Sequence, residues 1–221
     1  MGAVRAGTNA SKSGQVATEA ANEPPRLQEV LDVAGKLFRE KGYRSTSLVH
    51  IAEALGMNKA SLYYYVESKE ELARKLILRA SRRLRDVSRG ADIAALPAEQ
   101  ALERLVREHA DVILAHPNEI ALLIEQRRFV EPTALGDLAE RERAYVASLR
   151  TIIARGIEDG SFRRVDAGVA TQLVLDTING LLRWYRPGGR LSAQRAVDEI
   201  WTYIHGGLCE SRARARRVDS A

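Results

Sequence analysis

Apolar residues recur at helical spacing along most of the chain, and the breaks between the runs are well marked. Over 26–41, Leu27, Val30, Leu31, Ala34, Leu37 and Phe38 follow the i, i+3, i+4, i+7 stripe of an amphipathic helix, closed by Gly42. Ile51, Ala52 and Leu55 share the face of a second helix. Leu62 and Val66 anchor a third, Lys59–Tyr65. A long fourth helix runs from Ser68 to about Ser88, with Leu72, Leu76, Ile77 and Leu84 facing inward. Further helices are predicted over 98–115, 117–130, 134–158, 166–186 and 193–208. They are separated by His116-Pro117, Glu131-Pro132, Asp159-Gly160 and Pro187-Gly188-Gly189, with Asp166 and Ser192 as N-caps of the last two. No segment alternates with period two over a useful length. The predicted fold class is therefore all-α, about nine helices and no sheet.

Cap chemistry sharpens the second to fourth helices. Ser47 can N-cap the second, because its hydroxyl accepts a bond from an otherwise orphaned backbone N–H. Gly56 stands where a left-handed residue is wanted past a helix end, and Asn58 caps the next helix. Ser68-Lys69-Glu70-Glu71 reads as a capping box. Two short helices around a three- to four-residue turn with glycine make a helix-turn-helix, whose second helix enters the DNA major groove. The residues fit that task. Ala60 and Ser61 are small enough to let the backbone approach base edges. Lys59 can donate to a guanine edge or a phosphate, and Tyr64 can contact a thymine methyl or a phosphate. Arg44 is a further phosphate candidate. Tyr65 is as well placed to pack on the fourth helix as to meet DNA.

Charge points the same way. Residues 26–89 carry 14 Lys+Arg against 8 Asp+Glu, whereas residues 90–208 carry 14 against 17. The basic half is the half with the motif, as phosphate binding requires. On the fourth helix Arg74, Lys75, Arg79, Arg82, Arg83 and Arg85 read mostly as a solvated face.

From Thr46 to Leu72 the chain reads T-S-x-x-x-I-A-x-x-x-G-x-x-K-x-S-L-Y-Y-Y-V-x-S-K-E-E-L. This resembles the DNA-binding signature of the TetR family of one-component repressors. The resemblance implies a tail over 1–25, a DNA-binding domain over 26–72, a ligand-binding and dimer-forming domain over 73–208, and a basic tail over 209–221. It places Ser47, Leu48, Tyr63 and Lys69 at positions that usually bind phosphate. It implies three partners: double-stranded palindromic operator DNA, a small-molecule effector and a second copy of the chain. Two stripes offer a dimer surface: Ala170, Val174, Ile178, Leu181 and Tyr185, and then Ala196, Val197, Ile200, Trp201, Ile204 and Leu208. The alternative is that these stripes face only the internal core; the resemblance favours dimerisation.

The segment R-W-Y-R-P-G-G from Arg183, followed by L-S-A-Q, is similar to a subset of TetR regulators that respond to acyl-CoA thioesters. In that subset this helix helps hold the CoA portion, which makes Arg183, Trp184 and Tyr185 ligand candidates. Asn179 joins them on the polar stripe Gln172, Asp176, Asn179, Arg183, which lines a pocket or forms a solvated edge. Gln126 is a candidate from helix 117–130, expected at the pocket floor.

Other classes find little support. G-x-S-x-G, H-E-x-x-H, a P-loop and G-x-G-x-x-G are all absent, so no catalytic residue and no cofactor is expected. The histidines His50, His109, His116 and His205 are scattered and Cys209 is single, so no metal site is expected. No apolar run approaches 18 residues and residues 1–25 lack a signal-peptide core, so the chain reads as cytoplasmic. The rival readings are a helical enzyme and a DNA-architectural factor without a ligand. The acidic helical half argues against the second, because it adds nothing to backbone binding.

Overall fold

The computed structural model describes residues 24–88, 93, 95–126, 128, 130, 131 and 135–209. The expected tails over 1–25 and 209–221, and the linker expected at Gly90–Pro97, fall largely outside them. Every described element is helical: α1 (Pro25–Lys41), α2 (Leu48–Ala54), α3 (Lys59–Tyr63), α4 (Lys69–Ser88), α5 (Ala98–Ala115), α6 (Pro117–Ala121), α7 (Leu138–Glu158), α8 (Ala167–Asn179), α9 (Leu181–Trp184) and α10 (Ala193–Leu208).

The N-terminal helices form where their caps allow. The Ser47 hydroxyl accepts the His50 N–H, and the His50 imidazole Nδ1 accepts the Ser47 N–H, both at 3.3 Å. A histidine thus fills the place that Glu or Gln takes in the usual box. The Asn58 side chain accepts the Ser61 N–H at 2.7 Å, and Gly56 between them takes φ 64°. Ser68 accepts the Glu71 N–H at 3.0 Å, but the Glu71 carboxylate accepts the Glu67 N–H rather than that of Ser68. Val30, Leu31, Ala34 and Phe38 of α1 share one core with Ile51, Leu62, Leu72, Leu76 and Ile77.

Beyond the head, α4 packs on α5 and α7, and α7 packs on α8. Where α7 ends, the Phe162 ring lies over Gly156. A Cβ there would come within 2.2 Å of it, so only glycine permits this return of the chain. The start of α5 and the end of α10 are joined by a hydrogen bond between Glu99 and His205 Nε2 at 2.8 Å.

Four expected boundaries change. The third helix ends at Tyr63, with Tyr64 as its C-cap. The predicted 117–130 helix stops at Ala121 and widens into a π turn over Leu122–Gln126. Five successive residues there, Glu119–Leu123, are buried, so this stretch is enclosed on all sides rather than along one stripe. The 134–158 helix starts only at Leu138, because Gly136 takes φ 57° just before it. The 166–186 helix breaks at Gly180, the residue type that costs a helix most besides proline.

A fifth correction concerns the dimer stripes. Ala170, Val174, Ile178 and Leu181, with Ala196, Val197, Ile200, Ile204 and Leu208, belong to the internal core; Tyr185 and Trp201 pack on its edge. The apolar face left open is rotated from them: Val169 and Leu173 on α8 are 59% and 62% exposed, and Tyr203 on α10 is 74% exposed.

Candidate DNA-reading face and ligand cavity

The candidate reading face is α3 and what flanks it. Leu62 is fully buried beneath it, while Lys59 and Ala60 are exposed and Ser61 is half-buried. Tyr63 and Tyr64 are 46% and 85% exposed, far more than packing alone would leave on two tyrosines. The Lys59 ammonium lies 5.6 Å from the centre of the Tyr63 ring, and Tyr64 meets Tyr65 edge to face at 5.2 Å. Tyr65 itself packs against the core. Ser47 and Leu48 are half-buried at the start of α2, and Arg44 is exposed in the turn before it.

Lys69 does more than wait at a helix start. Its ammonium donates to the Tyr43 carbonyl at 3.0 Å and stands 4.4 Å over the Tyr43 ring. The Tyr43 hydroxyl donates to Glu70 at 3.1 Å. Burial, and then the Glu70 charge, push the Tyr43 phenol well above its ordinary range. The turn before α2 is therefore tied to the first turn of α4, which fixes the head on the long helix.

Ion pairs carry that connection further. Arg79, expected on a solvated face, instead reaches Asp32 of α1 at 2.8 Å and the buried Glu119 of α6 at 2.7 Å. Arg83 adds a second bond to Glu119 at 3.2 Å. Arg39 of α1 donates to the Leu182 carbonyl in α9 at 3.2 Å. Charge counting offers no sign of this junction, because its partners lie 36 to 143 residues apart.

Beside the junction lies a cavity of about 340 Å³ between α4, α5, the π turn, α7 and α8. Leu84, Leu123, Ile124, Val146 and Leu175 supply its apolar wall, and Arg85, Arg141, Gln172 and Asn179 supply polar atoms. Ser81 and Glu142 also line it, and His109 and Tyr145 complete it. Both are buried, and the Tyr145 hydroxyl lies 2.8 Å from His109 Nδ1. Burial holds the His109 imidazole down at about 4, so it is neutral at pH 7, and it raises the Tyr145 phenol far above its ordinary value. Two buried atoms of residues that line the cavity, His109 Nε2 and Asn179 Oδ1, find no hydrogen-bond partner among the described residues.

Of the ligand candidates, the structure brings Asn179 and its neighbour Gln172 into the cavity wall. It does not bring Arg183, Trp184 or Tyr185 there: none of the three lines the cavity, and Arg183 and Trp184 are exposed. Gln126 closes the π turn, and its side chain lies outside the described residues. A larger groove of about 800 Å³ runs along the open face of α8 and α10, lined by Val169, Leu173, Thr177, Tyr203, Gly206 and Gly207 among others. No described helix is long and apolar enough to cross a membrane.

Comparison with known proteins covers both halves. Residues 30–76 match the family model of bacterial regulatory proteins, tetR family, and residues 95–208 match that of the tetracyclin repressor-like, C-terminal domain. The HTH-type transcriptional repressor KstR2 of Mycobacterium tuberculosis is 30% identical over 195 residues, spanning 83% of this chain and 92% of its own. Its solved structure, described as a ketosteroid transcriptional regulator, superposes with a TM-score of 0.79 over 87% of this chain and 99% of that one, at 27% identity. PfmR, a TetR family transcriptional regulator from Thermus thermophilus, superposes at 0.70 with 32% identity over 79% of this chain and 94% of its own. AibR, solved in complex with isovaleryl coenzyme A and operator DNA, shares the fold at 0.71 with 21% identity, over 80% and 97% of the two chains. The matched families and relatives regulate transcription; none is an enzyme.

Proposed function

The chain belongs to the TetR family of bacterial transcriptional regulators, and from that premise we propose that it represses transcription as a homodimer on palindromic operator DNA and is released by a small apolar effector. The observation that carries this reading is the exposed pair Tyr63 and Tyr64 beside Lys59, on a helix capped at both ends of its turn and fixed from behind by Leu62. Ala60 and Ser61 let this helix approach base edges, while Arg44, Ser47, Leu48 and Lys69 flank it as phosphate contacts. The DNA-binding part extends over 26–72 and the ligand-binding and dimer-forming part over 73–208.

The groove on α8 and α10 is the surface we assign to the second copy. Its exposed Val169, Leu173 and Tyr203 are covered only when another apolar face meets them. A dimer places two copies of α3 about one DNA turn, ~34–36 Å, apart.

The cavity is the effector site in this reading. Helix α4 lines it with Ser81 and Leu84 and, toward its other end, carries Leu72 and Leu76 into the core of the head. An effector that binds better to a displaced α4 changes the spacing of the two heads, and unequal affinity for the two states is the only way it can do so. The acyl-CoA effector rests on the resemblance around Arg183–Gln194; Arg183, Trp184 and Tyr185 would then meet the CoA portion outside the cavity, with Gln126 and Asn179 nearer the acyl end. KstR2, whose description names ketosteroids, favours an effector with a compact apolar body.

A gel shift on the DNA flanking the chain's own gene tests the regulator reading. Retardation at moderate salt is expected, and its absence would remove the reading. Adding fatty and steroid acyl-CoA thioesters then tests the effector, and unchanged DNA affinity across the series would exclude that class.

A further inference from the structure

Residues that line the cavity hold polar atoms whose needs the protein does not meet. Neutral His109 has one N–H and one bare nitrogen, and the Tyr145 phenol has one O–H and an accepting oxygen. The single bond between them, at 2.8 Å, consumes one hydrogen. If Tyr145 donates, His109 Nε2–H is left over; if His109 Nδ1–H donates, the Tyr145 O–H is left over. Either tautomer leaves one hydrogen to give, in a pair that is almost wholly buried. Across the same wall, Asn179 Oδ1 is a buried acceptor with no partner among the described residues. Buried groups of this kind are costly unless paired, and a site that carries them selects ligands that pair them.

We propose that the deep part of this cavity recognises an uncharged hydroxyl group on an apolar body, which accepts the hydrogen offered by His109 and Tyr145 and donates its own to Asn179. The inference rests on the reading of the cavity as the effector site, and it names the chemistry that site selects. A hydroxyl is the group that meets both needs at once, because it donates and accepts. A ketone leaves Asn179 Oδ1 unpaired. A carboxylate places a charge against a fully buried neutral imidazole, while the cations of the wall, Arg85 and Arg141, are each already in an ion pair with a neighbouring aspartate. The volume sets the body. About 340 Å³ is roughly twice the ~150 Å³ apolar cavity known to take one benzene ring, so a two-ring body fits, walled by Leu84, Leu123, Ile124, Val146 and Leu175.

The test uses the full chain and three probes of one shape: naphthalene, 2-naphthol and 2-naphthoate, titrated by calorimetry at pH 7. We expect 2-naphthol to bind at least about tenfold more tightly than either of the others, the factor expected of one well-made buried hydrogen bond. The preference should shrink severalfold in Asn179→Leu and in Tyr145→Phe. Asn179→Leu should also melt at or above the wild-type temperature, since it removes an unpaired polar atom. Equal affinity for naphthalene and 2-naphthol, preference for 2-naphthoate, no binding of any probe, or a preference undiminished in both variants would each overturn the proposal. The gel shift on the same preparation keeps the two readings apart. Selective binding by a protein that fails to shift DNA would sink the regulator reading alone, and DNA binding without selectivity would sink this one alone.

Discussion

The Arg79 guanidinium sits 2.7 Å from the buried Glu119 carboxylate and 2.8 Å from Asp32, so one side chain of α4 holds both the first helix of the head and the helix that leads into the cavity floor. Glu119 is held a second time by Arg83. Glu119→Gln keeps the shape and removes the charge that both arginines face. The expected cost is about 2–3 kcal/mol, because two half-buried cations lose their shared partner. Urea denaturation measures it. The same variant should weaken the effect of effector on DNA affinity more than it weakens DNA affinity itself.

Tyr64 is exposed enough that its loss should leave folding stability within ~0.5 kcal/mol. Tyr64→Ala should nevertheless lower operator affinity by roughly tenfold, the scale of one lost base or backbone contact. Lys59→Ala separates the two kinds of contact. If Lys59 meets a phosphate, the dependence of log affinity on log salt should flatten by about 1; if it meets a base edge, the slope should hold and sequence preference should relax. Fluorescence anisotropy at several salt concentrations distinguishes these.

The buried His109 predicts a pH dependence with a definite sign. Its folded value of about 4 lies below the ordinary 6.5, so between those values the unfolded chain binds a proton that the folded chain does not. Stability is therefore full above about pH 6.5 and is lost as pH falls toward 4, by about 2 kcal/mol between pH 7 and pH 5. His109→Gln should remove that part of the slope. Urea melts of both proteins at the two pH values give the comparison.

Leu173 and Val169 project from α8 into the open groove. Leu173→Glu should leave the fold intact and turn a dimer into a monomer in sedimentation velocity. A dimer that survives this change would place the second copy elsewhere.

Much of the head was legible in the sequence because its signals are local. Ser47, Gly56, Asn58 and Ser68 each act within four residues, and each takes the role its position implies. The all-helical class followed from apolar spacing that tertiary packing had no cause to override. The C-terminal half was harder for a physical reason. A stripe such as Ala170, Val174, Ile178 marks a buried face without saying what buries it, and here the chain's own core does. The apolar face left open, Val169 and Leu173, is displaced by one residue from that stripe. The pair His109–Tyr145 spans 36 residues of sequence and no periodicity announces it. Nothing in the long helical pattern shows that Asn179 lies in the cavity wall while Arg183 and Trp184, a turn further on, are exposed outside it.

The most direct measurement is a DNase I footprint of the purified protein on the DNA upstream of its own gene. The account predicts protection of a palindrome whose half-sites are centred about one or a small multiple of helical turns apart, as two copies of α3 require, and loss of that protection in Tyr64→Ala at the same protein concentration. Uniform protection without a palindrome, or protection that Tyr64→Ala leaves unchanged, would contradict it.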